Sequence, residues 1–366
     1  MRWQAEIDRL RHSHRHRALS LPRGVDFTSN DYLGFSRHPA VRDALIAALE
    51  RDGMVGAGGS RLLRGHHEDH AKLEAFAAAF FSSEKALYFG SGFLANFSLF
   101  TTLADRHDAV VFDERIHASV KEGVHASSAE RYRARHNDLD SFAAEVKRAR
   151  ERGARHVFVA VESVYSMDGD LAPLSPLRDL ARRFDATLVV DEAHATGVFG
   201  ARGRGLTEGF QNGIALHTCG KALGVAGALV CASGETIDYL INRARPFIYS
   251  TAPPPCLAAA VLRALQLVDE EPWRRERVLT LANLAQTELN PHAPFAGSQI
   301  VPVIIGGDEA ALSVAQYVQE AGFDVRAIRP PTVPEGSARL RVSINVDHTE
   351  AQVRALAAAV HEARQR

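Results

Sequence analysis

Asp191 closes the apolar run ATLVVD, and Lys221 follows further on in the glycine-flanked segment HTCGKALG. A carboxylate at the end of so apolar a strand is costly unless a cation faces it. Taken singly, each residue has an ordinary explanation: a helix cap or buried ion pair for Asp191, an exposed turn for Lys221. Taken together they match one chemistry. A lysine amine can form a Schiff base with an aldehyde, while a carboxylate keeps a pyridine nitrogen protonated, so that the ring takes up the electron pair of an α-carbanion. An opposite charge in hydrogen-bonding range moves a pKa by roughly 1–3 units, enough to hold that proton. The pair points to pyridoxal phosphate (PLP), with Lys221 as its anchor and Asp191 as the partner of its ring.

Other residues fit around the pair. In SGFLAN the turn precedes a helix, so the first backbone N–H groups, those of Gly92 and Phe93, are placed for a phosphate. An ordinary strand–helix turn would look the same. Thr218 can add a phosphate or ring contact, or only stabilise its turn. His117 begins a helix after DAVVFDERI and can stack on a pyridine ring, although a lone histidine is more often structural. Ser166, in VYSMDGD, and His194 are candidate donors to a phenolic oxygen, the former in what could be just a tight turn. Two rival motifs fail. GAGGS has no strand before it, and CGKA lacks both the Ser/Thr and the upstream glycine of a P-loop. His12, His14 and His16 alternate as metal ligands on a strand would, with no Cys or carboxylate cluster beside them, so no metal is expected.

Alternating elements must carry these residues. Residues 2–18 read as a polar helix, VDFTS as a short strand, and MVGAGGSRLLRG as an irregular loop between two helices. Then ALYF, DAVVF, HVFVAVES, ATLVVDEAH, IALHTCGK and GALVCAS read as strands, with helices such as FLANFSLFTTLA between them. That alternation predicts an α/β fold with a mostly parallel central sheet, and runs such as VFVAV suit strands buried on both faces. Near residue 270 the pattern changes: the long helices PPPCLAAAVLRALQLVDE and PWRRERVLTLANLAQTEL, then SQIVPVII, a helix, FDVRAI, ARLRVSI and a final helix predict a smaller α+β domain. The expected division is an N-terminal helix and arm over 1–40, a large domain over 41–270 and a small domain over 271–366. Whether the N-terminal segment packs on the large or the small domain is left open.

Composition narrows the classes. The chain has 366 residues, 46% of them hydrophobic, enough for a large core. Forty-three basic residues against 44 acidic ones give a net charge of −1, so no nucleic acid and no anionic membrane is expected as partner. The basic run RLRHSHRHR reads as the solvated face of the first helix. Three cysteines without paired spacing point to a reducing compartment, and residues 1–20 show no secretory pattern, so a cytoplasmic location is expected.

SNDYLGFS, GAGGSRLLRG, SGFLAN, VYSMDGD, VVDEAHATGVFG, GKALG, IYSTAPPP and IRPPTVPEGSARLR run in one order across nearly the whole chain, and together they resemble the α-oxoamine synthase family of PLP enzymes. The resemblance implies the aminotransferase-type (fold type I) architecture and a homodimer. It implies Lys221 as the Schiff-base lysine, Asp191 at the ring nitrogen, His117 stacked on the ring, and His194 and Ser166 near the phenolic oxygen. It gives the phosphate to Gly92, Phe93 and Thr218, with Thr251 of IYST reaching the phosphate of the neighbouring subunit. Arg341 of ARLR resembles the arginine that binds the substrate carboxylate, Asn30 approaches the substrate, and Thr332 of IRPPTVP joins the substrate side. That segment is most like the branch that condenses L-alanine with a pimeloyl thioester, carried by CoA or an acyl carrier protein, with release of CO2. A relative joining glycine to an acetyl thioester is the alternative. An aminotransferase would share Asp191 and Lys221 but lack SMDGD and PPTVP, and an inactive binding relative would have no need of Lys221, Asp191 and His117 together. The segment LSLPRGVD is shorter than its counterpart in the family, so the arginine that meets the acyl chain is left open between Arg15 and Arg17.

Overall fold

The computed structural model describes residues 2–208, 210, 212–292 and 296–366. Among them, twelve strands run β1 Val25–Asp26, β2 Lys85–Phe89, β3 Ala109–Asp113, β4 Glu130–Ala134, β5 Val157–Glu162, β6 Thr187–Asp191, β7 Ile214–Thr218, β8 Ala228–Ala232, β9 Ile300–Gly306, β10 Phe323–Asp324, β11 Ala327–Ile328 and β12 Ala338–Ser343. The first five helices are α1 Arg2–His12, α2 Pro39–Asp52, α3 Glu68–Phe80, α4 Gly92–Leu103 and α5 Ala118–Ala126.

The chain divides into two compact units. The larger comprises Leu33–Tyr165 and Leu171–Arg275. Its sheet has the order β2-β8-β7-β6-β5-β3-β4. Strands β4, β3, β5, β6 and β7 are parallel, while β8 runs antiparallel to both β7 and β2. Helices cover both faces, and β3, β5 and β8 are buried throughout, which is why they read as unbroken apolar runs. One face packs with α4 and α5 around Leu99, Phe100, Val120 and Val124. The other packs Phe142, Val146 and Leu177 against Val111, Val159 and Val190.

The second unit comprises Met1–Tyr32, Ser166–Asp170 and Glu276–Arg366. Its three-stranded sheet, β11-β12-β9, packs with the helices Trp273–Leu289, Asp308–Glu320 and Glu350–Gln365 around Leu281, Val318, Leu340 and Leu356. The N-terminal segment belongs here, because β1 pairs in parallel with β10 and Phe27 is buried against His348 and Phe323. Residues 166–170 belong here too. Gly169 sits at φ +71°, where a Cβ would lie 2.2 Å from the carbonyl oxygen of Ile300.

Two expectations change. The first helix ends at His12, not near residue 18, because His14 takes a left-handed conformation and the N–H groups of Arg15 and His16 turn back to the carbonyl of Leu10. The three alternating histidines therefore lie at a helix end instead of on a strand. The reading by pattern also passed over β4, of which only Tyr132 and Ala134 are buried, and the helix Leu139–Glu151, whose buried Phe142, Val146 and Ala149 recur at helical spacing.

Candidate active site

In an open α/β sheet, polar groups gather at the carboxyl ends of the parallel strands. Asp191 ends β6 there. Its Oδ1 accepts from the backbone N–H of Ala193 at 2.9 Å, and its Oδ2 accepts from the Asn96 amide at 2.7 Å. The residue is buried, and no cation among the described residues pairs with it within 4 Å. A buried carboxylate with two neutral donors and no counter-charge suits a protonated ring nitrogen.

Lys221 lies in the turn between β7 and β8. Its Nζ is 2.7 Å from Nε2 of His194, which follows β6. The two nitrogens are in hydrogen-bonding range, the imidazole tautomer setting which of them donates. The turn is shaped by Gly224, at φ +66°, whose N–H donates to the Lys221 carbonyl at 2.8 Å. A Cβ on Gly224 would lie 2.1 Å from the backbone nitrogen of Ser36.

Ser91 caps α4 by accepting from the N–H of Leu94, leaving the first-turn N–H groups of Gly92 and Phe93 for an anion. A Cβ on Gly92 would come within 3.4 Å of Thr218 Oγ1, so glycine keeps the space between the helix end and that hydroxyl open. His117 caps α5, and its Nδ1 is 2.8 Å from Ser119 Oγ. Burial lowers the pKa of His117, Lys221 and Lys121 lower it further, and Asp191 opposes them. Thr251 is exposed, next to Ala252, whose N–H donates to Gly59 at 2.9 Å. An aldehyde-binding amine, a carboxylate without a cation, a histidine at the head of a helix and an open helix N-terminus form a donor set that fits PLP.

In the second unit Arg341 is buried on β12. Its Nε donates to the Ser166 carbonyl at 2.6 Å, one Nη to Ser343 Oγ at 2.8 Å and the other to Asn30 Oδ1 at 3.0 Å. No carboxylate among the described residues neutralises it. Arg339, on the same face of the strand, is neutralised by Asp168 at 2.6 Å. Ser166, Asn30 and Arg341 are thus brought together. Thr332 lies elsewhere in that unit, its hydroxyl accepting from Arg17 at 3.0 Å. Arg15 is held by Asp308 at 2.8 Å and Glu335 at 2.5 Å.

Asn96 and Ser119 were missed by the sequence reading. Asn96 was in view as the last letter of SGFLAN, but nothing in a sequence links it to Asp191. One group of potential metal ligands, Asp52, His67 and Asp69, has its ligand atoms within 4.8 Å of one another. The guanidinium of Arg51 bridges both aspartates at 2.5 Å, so that cluster already holds its cation.

The family model "Aminotransferase class I and II" matches residues 22–360. The 8-amino-7-oxononanoate synthase of Methylobacterium nodulans is 47% identical over 339 residues, covering 92% of this chain and 86% of that protein. The enzyme of that name from Chromobacterium violaceum is 42% identical over 366 residues, covering 96% and 94%. Among solved structures, a serine palmitoyltransferase from S. paucimobilis with bound PLP is 28% identical with a TM-score of 0.91, covering 99% of this chain and 96% of that one. An 8-amino-7-oxononanoate synthase from Francisella tularensis is 27% identical with a TM-score of 0.79, covering 93% and 97%. The chain belongs to the class I and II aminotransferase family of PLP enzymes and, within it, to the α-oxoamine synthases.

Proposed function

We propose that the chain catalyses the decarboxylative condensation of L-alanine with a pimeloyl thioester, giving 8-amino-7-oxononanoate, CO2 and a free thiol, as a step of biotin synthesis in the cytoplasm. The observation that carries the reading is the buried, cation-free Asp191 in the same unit as the Lys221 amine, combined with relatives of that name over nearly the whole chain. PLP bound there supplies the electron sink for the α-carbon. Lys221 would anchor the cofactor and, as a free amine, would take the α-proton of alanine. His194, whose Nε2 is 2.7 Å from that amine, is assigned with Ser166 to the phenolic oxygen. Asp191 would hold the ring proton, and His117 would stack on the ring. Gly92, Phe93 and Thr218 take the phosphate, with Thr251 serving the neighbouring subunit of a homodimer.

Arg341 takes the alanine carboxylate, supported by Asn30; a buried guanidinium with no counter-charge supports that role. Of the two N-terminal arginines, Arg15 is already neutralised by Asp308 and Glu335, whereas Arg17 donates to the hydroxyl of Thr332 and has no carboxylate partner among the described residues. Arg17, with Thr332, is therefore assigned to the far carboxylate of the pimeloyl chain.

Borohydride reduction and peptide mapping should place the pyridoxyl mass on the peptide containing Lys221; label on another lysine sinks the assignment. Mass spectrometry after incubation with alanine and pimeloyl-CoA or pimeloyl carrier protein should then find 8-amino-7-oxononanoate. Faster turnover of glycine with acetyl-CoA would make the chain a different α-oxoamine synthase and leave the PLP reading intact. Light scattering that finds a fully active monomer would remove the dimer and the role of Thr251.

A further inference from the structure

Asn96 lies in the second turn of α4, and Ser119 in the first turn of α5. The Asn96 side-chain nitrogen is 2.7 Å from Asp191 Oδ2 and 2.9 Å from Ser119 Oγ. Ser119 Oγ is in turn 2.8 Å from His117 Nδ1, and the backbone N–H of Ser119 donates to that same Nδ1 at 3.2 Å. Asn96, Ser119 and Asp191 are 3%, 1% and 6% exposed, so water does not compete for these bonds.

The protons can be followed along the chain. An ionised carboxylate only accepts, so Asn96 must present its NH2 to Asp191, which fixes the orientation of the amide. Its second N–H goes to Ser119 Oγ. That oxygen, once it accepts, has its own proton to give, and His117 Nδ1 is beside it. The backbone N–H of Ser119 can only donate, so two donors converge on Nδ1 and hold it unprotonated. The ring then carries its single proton on Nε2. The charged groups that act on His117 are Asp191 on β6, Lys221 after β7 and Lys121 on α5 itself. A neutral imidazole is also the form that avoids repulsion against a protonated pyridine ring.

We infer that Asn96 is a positioning residue that orients the Asp191 carboxylate with one N–H and, through Ser119, fixes the tautomer of His117 with the other. The inference rests on the proposed roles of Asp191 and His117, and it gives a reason for an amide buried beside Leu99, Phe100 and Val120.

Two readouts separate the two arms. Nitrogen NMR of histidine-labelled protein without cofactor reports which ring nitrogen of His117 carries the proton. A pH titration of the cofactor absorbance in the loaded protein reports the Asp191 end. Ser119→Ala should raise the Nδ1–H fraction of His117 by about fivefold, the shift expected for one lost neutral hydrogen bond, and leave the cofactor titration in place. Ser119→Thr, which restores the hydroxyl, should restore the tautomer. Asn96→Leu should move both readouts, and the double variant should add nothing at His117 beyond Ser119→Ala. Should Asn96→Leu not accumulate, Asn96→Ala replaces it, and the Ser119 pair alone still decides the relay. An unchanged His117 tautomer in Ser119→Ala, or effects of the two substitutions that add, would overturn the inference. Failure of the PLP reading looks different: no pyridoxyl label on Lys221, with the histidine measurement on the unloaded protein still valid.

Discussion

Arg341 shows most directly how a single side chain carries the argument from burial to substrate. Its guanidinium is held by a carbonyl, a hydroxyl and an amide oxygen, which are neutral acceptors that position the group without discharging it. A charge kept buried and unneutralised is expensive, and a carboxylate ligand relieves that cost when it binds. Hydrogen bonds to charged groups contribute roughly 1.5–3 kcal/mol each, so Arg341→Ala should weaken alanine binding by at least tenfold. Spectrophotometric titration of the loaded protein with alanine measures this. Arg339→Ala is the control at this scale: it removes the same charge from the same strand face together with its ion pair to Asp168, so it should lower stability and leave the affinity for alanine nearly unchanged. Equal losses of alanine affinity in the two variants would contradict the assignment. The sequence distinguished these two arginines only through the likeness of ARLR to other family members. Their physical difference, one neutralised and one not, depends on Asp168 arriving from a distant segment.

At the scale of elements, the turn between β7 and β8 is what makes Lys221 a presented amine. Gly224 takes a left-handed conformation that side chains rarely adopt, and its missing Cβ is what lets the backbone of Ser36 approach. Gly224→Ala should therefore cost about 1–3 kcal/mol of stability and, by shifting the turn, slow the reaction of Lys221 with added PLP. Denaturant titration and the rate of cofactor uptake give the two effects. A variant with wild-type uptake would show that the turn is not set by Gly224. The parallel strands were legible beforehand because burial on both faces demands unbroken apolar runs, as in VFVAV and TLVV. The edge strand β4 was not, since ERYRA has only Tyr132 and Ala134 buried and shows arginines elsewhere. The end of α1 was illegible for a different reason: RHSHRH has no proline or glycine, and the helix is stopped by a left-handed His14 that only the fold specifies.

At the scale of the whole molecule, buried histidines tie stability to pH. His217 on β7 is fully buried, stacked on Phe81 at 3.6 Å and bonded through Nδ1 to Thr196 at 3.0 Å, and burial pushes its pKa down to about 3. His70 on α3 is pushed down to about 4, chiefly by burial and then by Arg61. In the unfolded chain both return to about 6.5. Between those limits the unfolded state binds more protons than the folded one, so stability rises with pH and is lost as pH falls from about 6.5 towards 3. Glu192 acts in the opposite sense. Burial raises its pKa, against hydrogen bonds from Ser163, Leu206 and Thr207, so it contributes most at low pH and its contribution fades as pH rises through the folded value. Two such histidines stand against one glutamate, and at about 1.4 kcal/mol per unit of their shifts the loss on acidification is the expected net direction. Urea midpoints should therefore fall steadily from pH 7 to pH 4.5. His217→Gln keeps a partner for Thr196 but cannot titrate, so its midpoints should fall distinctly less over the same range, whatever its stability at pH 7. Parallel pH profiles for the two proteins would mean that His217 titrates alike in the folded and unfolded states, which its burial argues against.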